Sequence, residues 1–136
     1  NEKTWKMGEF DEVERPLVIQ LLGGDVDNLA QATSRIVEKY QPDGIDINMG
    51  CPVPKIANRS SAGAALLKNH DRAVEIVKTL KKLDLKIPIS VKTRLGWGKV
   101  DEILEFAPKL EQAGVDVLTI HGRTKHKDIL VKPIGI

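Results

Sequence analysis

Seven polar residues interrupt or follow short apolar runs and are the groups here that could do chemistry: Gln20, Asn48, Cys51, Lys92, Arg94, His121 and Arg123. Cys51 is the only cysteine, set in Asn48-Met49-Gly50-Cys51-Pro52, where Gly50 and Pro52 end the alternating run of residues 44–48. A lone cysteine is most often a small buried hydrophobe. One that follows a strand and opens a loop stands where parallel α/β folds put their chemistry. A thiol there serves as a nucleophile or as an acid, because its ordinary pKa of about 8.5 keeps it protonated at neutral pH.

Each residue also has a plainer reading. Gln20 would bond loop backbone, and Asn48 would cap its own turn. Lys92 and Arg94 would be solvated charges, and His121 a satisfied core imidazole. Equivalent placement in four runs favours one shared site over seven separate accidents. The single cysteine and the scattered His70, His121 and His126 lack zinc spacing, so no metal is expected. There is no Gly-x-Gly-x-x-Gly or P-loop pattern. A Cys51–His121 nucleophilic pair would lack a recognisable oxyanion hole.

The elements that must position these groups alternate. Residues 16–22 form an apolar run broken only by Gln20 and closed by Gly23-Gly24, as expected of a strand buried on both faces. Asp25 is an N-cap for a helix whose apolar face is Leu29, Ala32, Ile36, Val37 and Tyr40, ending before Pro42. Residues 44–48 are the second strand, and 62–67 a short helix. Asp71 opens a longer helix with Val74, Ile76, Val77 and Leu80 inward. Residues 88–94 are the third strand. A helix carrying Ile103, Phe106, Ala107 and Leu110 follows, with Pro108 inside it at a cost of about 3 kcal/mol or a bend. Residues 115–120 are the fourth strand, ending at His121-Gly122. Residues 1–14 read as irregular, and residues 129–134 as a strand without a clear place. Repeated βα units predict a parallel sheet with right-handed crossovers.

With 136 residues, the chain has one domain's length, 41% hydrophobic and 29% charged. No apolar run approaches the roughly eighteen residues of a membrane span, and no signal segment opens the chain. One cysteine excludes an internal disulfide framework and suits a reducing cytoplasm. A net charge of +2 permits an RNA partner without arguing for one, and 4% aromatics are too few for a base-stacking platform.

The stretch Asp46-Ile47-Asn48-Met49-Gly50-Cys51-Pro52-Val53-Pro54-Lys55-Ile56, with Ala62-Gly63-Ala64-Ala65-Leu66-Leu67, resembles the signature of the tRNA-dihydrouridine synthases. Ser90–Trp97 and Thr119–Thr124 agree with it in order and spacing, so the resemblance runs from about residue 15 to 124. It implies an α/β fold, a partial (β/α)8 TIM barrel of about four consecutive βα units with parallel strands, the family's third to sixth. All 136 residues would be one piece of that domain, with residues 125–136 off the family pattern. The first residue, Asn1, is not Met, which also points to a piece of a longer protein. The resemblance further implies FMN and NADPH as cofactors and tRNA as partner. Reduced FMN would give a hydride to C6 of uracil, and Cys51 would protonate C5. Lys92 matches the lysine at the flavin's pyrimidine edge. Gln20 and His121 match other flavin contacts, and Asn48 and Arg94 match residues facing the flavin–uracil space. Arg123 would serve the loop or the RNA. The flavin-phosphate loops of the family lie after strands seven and eight and are not recognisable here.

Two other readings compete: another FMN barrel acting on free pyrimidines, and a catalytically inert half-barrel. An isolated four-strand piece would expose two sheet edges and an apolar barrel interior. It is expected to self-associate, or to be part of a longer polypeptide, rather than to be a flavin-loaded monomer.

Overall fold

The computed structural model describes residues 2–126. Four strands, β1 (Val18–Leu21), β2 (Gly44–Met49), β3 (Ile89–Gly96) and β4 (Val117–Thr124), form one sheet in that order. Every pair is parallel. The helices α1 (Glu2–Lys6), α2 (Val26–Tyr40), α3 (Pro54–Arg59), α4 (His70–Lys82) and α5 (Ile103–Ala113) accompany them, with 3₁₀ segments at Glu12–Glu14 and Gly63–Lys68. This is a partial (β/α)8-type array, as the alternating pattern predicts.

Strand periodicity sorts the side chains onto two faces. Ile45, Ile47, Met49, Ile89 and Val91 are buried and pack with Ala73, Ile76, Val77 and Leu80 of α4 and Phe106 and Leu110 of α5. Each large side chain so buried contributes about 1.5–3 kcal/mol. The alternate positions hold Gln20, Asp46, Asn48, Ser90, Lys92 and Thr119, none of them buried.

Both predicted boundaries of α2 are present. Asp25 accepts from Asn28 N–H at 2.8 Å, and Gln41, in the left-handed region at φ 48°, ends the helix before Pro42. The sheet's amino-terminal edge repeats one clamp. Asp43 N–H donates to Leu17 O while its carboxylate accepts Leu17 N–H; Asp116 does the same with Ile89. Backbone and side chain of one aspartate thus close each joint, and the accepted N–H groups help hold both carboxyls below their ordinary range.

Several expectations change. Residues 2–14 contain α1 and a 3₁₀ segment, with Tyr40 Oη donating to Trp5 O. Residues 63–68 form a 3₁₀ segment, because Gly63 at φ +59° starts it against Cys51. Asn69, not Asp71, caps α4 by accepting from Arg72 N–H. Helix α3 is additional to the expected elements. Pro108 stays within α5, where the carbonyl freed is that of Leu104, a residue 76% exposed, so water can reach it.

The strand expected over residues 16–22 is the shorter β1, and it is not covered on both faces: Val18 is 52% exposed, and Leu22, just past its end, 44%. Val117 is 53% exposed too, so β4 is also open. The face opposite the helices carries the polar row above, with Val18 and Val117 at its amino-terminal end. The fourth strand runs on to Thr124, which places His121 and Arg123 inside it. The candidate strand at 129–134 lies outside the described residues.

Candidate active site

Register brings the predicted residues into rows on the open face. Gln20 pairs with Asp46 and Asp46 with Ser90; Asn48 pairs with Lys92, Lys92 with Thr119, and Arg94 with His121. A hydrogen-bonded chain links the first two rows. Ser90 Oγ donates to Asp46 Oδ1, and Gln20 Nε2 donates to Asp46 Oδ2 at 2.6 Å. Asn48 Nδ2 donates to Gln20 Oε1 at 3.0 Å. Asn48 Oδ1 then accepts Gly50 N–H at 3.0 Å and Cys51 N–H at 2.9 Å.

The polarity of this chain is determined at both ends. Two backbone donors demand an oxygen from Asn48, and a carboxylate at the far end demands a nitrogen from Gln20. Both amides are therefore locked in one orientation, and the turn that presents Cys51 is fixed by β2's own side chain. Asn48 does cap its turn, as the plainer reading anticipated, and Gln20 bonds side chains rather than loop backbone.

Cys51 is a free, half-buried thiol. Gly63 supports it: a Cβ there would meet Cys51 O at 2.8 Å and Cys51 Cβ at 2.9 Å, and Ala64 N–H donates to Cys51 O at 2.9 Å. Only glycine fits, both for space and for φ. Arg94 closes the other side, with Nε donating to Gly50 O at 2.6 Å and Nη1 to Thr124 O at 3.4 Å.

Cations surround the end of the sheet. Burial, then the charges of Arg94, Lys92 and Arg123, push the His121 imidazole below its ordinary pKa. Between Arg94↔His121 and Gly96↔Thr124 the register slips, so Gly122 and Arg123 of β4 face Leu95 alone. Such bulges re-aim side chains near sites. Arg123 Nε is buried with no hydrogen-bond partner among the described residues. Lys92 is exposed and forms no ion pair among them.

Six of the seven predicted residues thus belong to one open face and the loop at its carboxyl edge, and Arg123 lies in the β4 bulge opposite Leu95. Sequence reasoning missed Asp46, Ser90 and Gly63. Asp46 and Ser90 carried a legible signal, since each lies two residues before a chosen one on the same strand. Gly63 carried only its place in the Ala62–Leu67 motif. Among the described residues no group of His, Cys, Asp and Glu could hold a metal ion.

Parallel βα units, with a thiol in a strand-end turn and cations beside it, define a partial (β/α)8-barrel of the kind that carries its chemistry on the carboxyl edge. The dihydrouridine synthase (Dus) family model matches residues 1–133. The chain is 43% identical over 119 residues to probable tRNA-dihydrouridine synthase 1 of Synechocystis sp., covering 86% of this chain and 32% of that protein. It is 41% identical over 121 residues to a probable tRNA-dihydrouridine synthase of Aquifex aeolicus, covering 88% and 38%. It is 42% identical over 111 residues to the tRNA-dihydrouridine(16) synthase of Neisseria meningitidis, covering 81% and 33%. The chain belongs to the dihydrouridine synthase family. It spans about a third of the length of these relatives.

Proposed function

We propose that this chain is the central part of the catalytic domain of a cytoplasmic, FMN-dependent tRNA-dihydrouridine synthase. The whole enzyme would reduce the C5–C6 bond of a tRNA uridine with NADPH as reductant. The observation that carries this reading is the presentation of Cys51 by Asn48 at the end of β2, beside the cationic face of β3 and β4.

The residues fit a planar cofactor with an anionic edge. Lys92 offers an ammonium without an ion-pair partner among the described residues, and Gln20 keeps one amide N–H uncommitted. Lys92, Gln20 and His121 would hold it. FMN, when bound, supplies a hydride for uracil C6. Cys51 would supply the proton for C5 from Sγ. Asn48 and Arg94 keep that thiol in place by fastening the Gly50 backbone from both sides. His121, neutral at pH 7, offers one donor and one acceptor nitrogen without adding a charge.

Cys51→Ala in the full-length protein should leave flavin reduction by NADPH nearly intact while dihydrouridine formation collapses. Cys51→Ser should be almost as poor, an alcohol being a far weaker acid. Equal loss in both half-reactions, or unchanged tRNA product, would remove Cys51 from the role of acid.

A further inference from the structure

Positive charge gathers on one aromatic ring at the carboxyl edge. Lys68 Nζ lies 4.0 Å and Lys125 Nζ 4.7 Å from the centroid of the Trp97 indole, which His126 meets edge-on at 5.1 Å. The participants come from three connections. Lys68 ends the 3₁₀ segment after β2, Trp97 follows β3, and Lys125 and His126 follow β4. Lys125 N–H donates to Gly96 O at 2.9 Å and His126 N–H to Trp97 O at 3.2 Å, so the two strand ends are joined by backbone.

Neither lysine forms an ion pair among the described residues. Of the two carboxylates in this loop, Asp101 and Glu102, the second is committed to the N–H groups of Trp97, Gly98 and Lys99, at 2.6, 3.2 and 2.8 Å. Two like charges on one ring repel, and an indole face holds an exposed cation only weakly. The arrangement therefore keeps two ammonium groups together and available to an anion.

We propose that Lys68, Trp97 and Lys125 form a docking surface for backbone phosphates of the substrate RNA that flank the reacting nucleotide. This rests on the reading of the chain as part of a tRNA-modifying enzyme. The 3₁₀ segment supplies the spacing. Gly63 packs on Cys51, and Lys68 lies five residues further on, about 10 Å at roughly 2 Å per residue. Lys68 thus lies at the far end of the segment whose first residue packs on the thiol loop. Lysines act on phosphate as point charges, so this surface sets the position of the RNA without reading its sequence.

The test is a salt series of tRNA binding to the full-length protein, using an unmodified transcript. The variants are the double substitutions Lys68→Met/Lys125→Met and Lys68→Arg/Lys125→Arg. Methionine keeps an apolar stem on the indole and removes the charge. For the methionine pair, affinity should fall on the order of tenfold or more at about 0.1 M salt, and the slope of log K against log salt should become shallower by about 1.5–2. The arginine pair should bind like the wild type. Melting temperature and flavin reduction by NADPH without RNA should not change. An unchanged affinity and slope overturns the proposal. So does a lowered melting temperature with an unchanged slope, which would make the lysines a staple between loops. A wild-type protein that binds no tRNA would instead overturn the functional reading beneath it.

Discussion

Reversing the polarity of the Ser90–Asp46–Gln20–Asn48 chain tests whether it holds the Cys51 turn. In Asn48→Asp, one carboxylate oxygen still accepts Gly50 and Cys51 N–H, but the other faces Gln20 Oε1 where an amide donor stood at 3.0 Å. Gln20 must turn its amide over, and its oxygen then meets Asp46 Oδ2 across the contact that was a 2.6 Å bond. A charge-assisted bond is replaced by two opposed acceptors. Such a bond is worth about 1.5–3 kcal/mol, and because Gln20 is exposed the expected loss is about 1–2 kcal/mol. Adding Asp46→Asn should restore most of it. The amide introduced at position 46 would donate to the turned Gln20 oxygen and accept from Ser90, and the net charge returns to that of the wild type. Asp46→Asn alone should be nearly neutral, since its oxygen can accept from Gln20 and its amide can donate to Ser90. Urea unfolding of the four proteins gives the coupling energy, expected at about 1–2 kcal/mol in the rescuing direction. The alkylation rate of Cys51, the chain's only cysteine, reports the same repair at the turn. Additive effects, or a double variant no better than Asn48→Asp, would refute the directional chain.

Lys92→Met should weaken FMN binding and lower the flavin's reduction potential, by about 30 mV for each 1.4 kcal/mol of lost preference for the reduced form. An unchanged potential in a variant that still holds flavin would leave Lys92 a surface charge. The depressed pKa of His121 means that unfolding lets it take up a proton. Its contribution is fully present above its unfolded pKa of about 6.5 and is lost as pH falls toward the lower folded value. Replacing His121 with Gln should flatten the stability slope in that window, and parallel wild-type and variant curves of urea midpoint against pH would contradict it. The isolated 136-residue chain should self-associate through β1 and β4, which have no outer neighbour among the described residues. Sedimentation with an absorbance scan tests this, and a yellow, well-behaved monomer is the adverse result.

Much of the architecture was legible locally. Apolar runs punctuated by Gly and Pro marked four strands, Asp25 and Pro42 bounded α2, and the turn at Gly50–Pro52 announced a strand-end cysteine. These signals work because propensity, capping and periodicity act over a few neighbouring residues. The open polar face was not legible in the same way. Gln20, Asp46, Asn48, Ser90 and Lys92 are separate interruptions in separate runs, and the run at 16–22 is apolar enough to pass for a doubly buried strand. Their meeting depends on register between strands: Gln20 with Asp46 across 26 residues, Asn48 with Gln20 across 28, and Ser90 with Asp46 across 44. The same holds for Gly63, whose positive φ is needed only because the chain returns there against Cys51. The residue types able to do chemistry were encoded one by one along the chain. Which of them share a hydrogen bond was decided by strand pairing, because only the assembled sheet brings such distant donors and acceptors within reach.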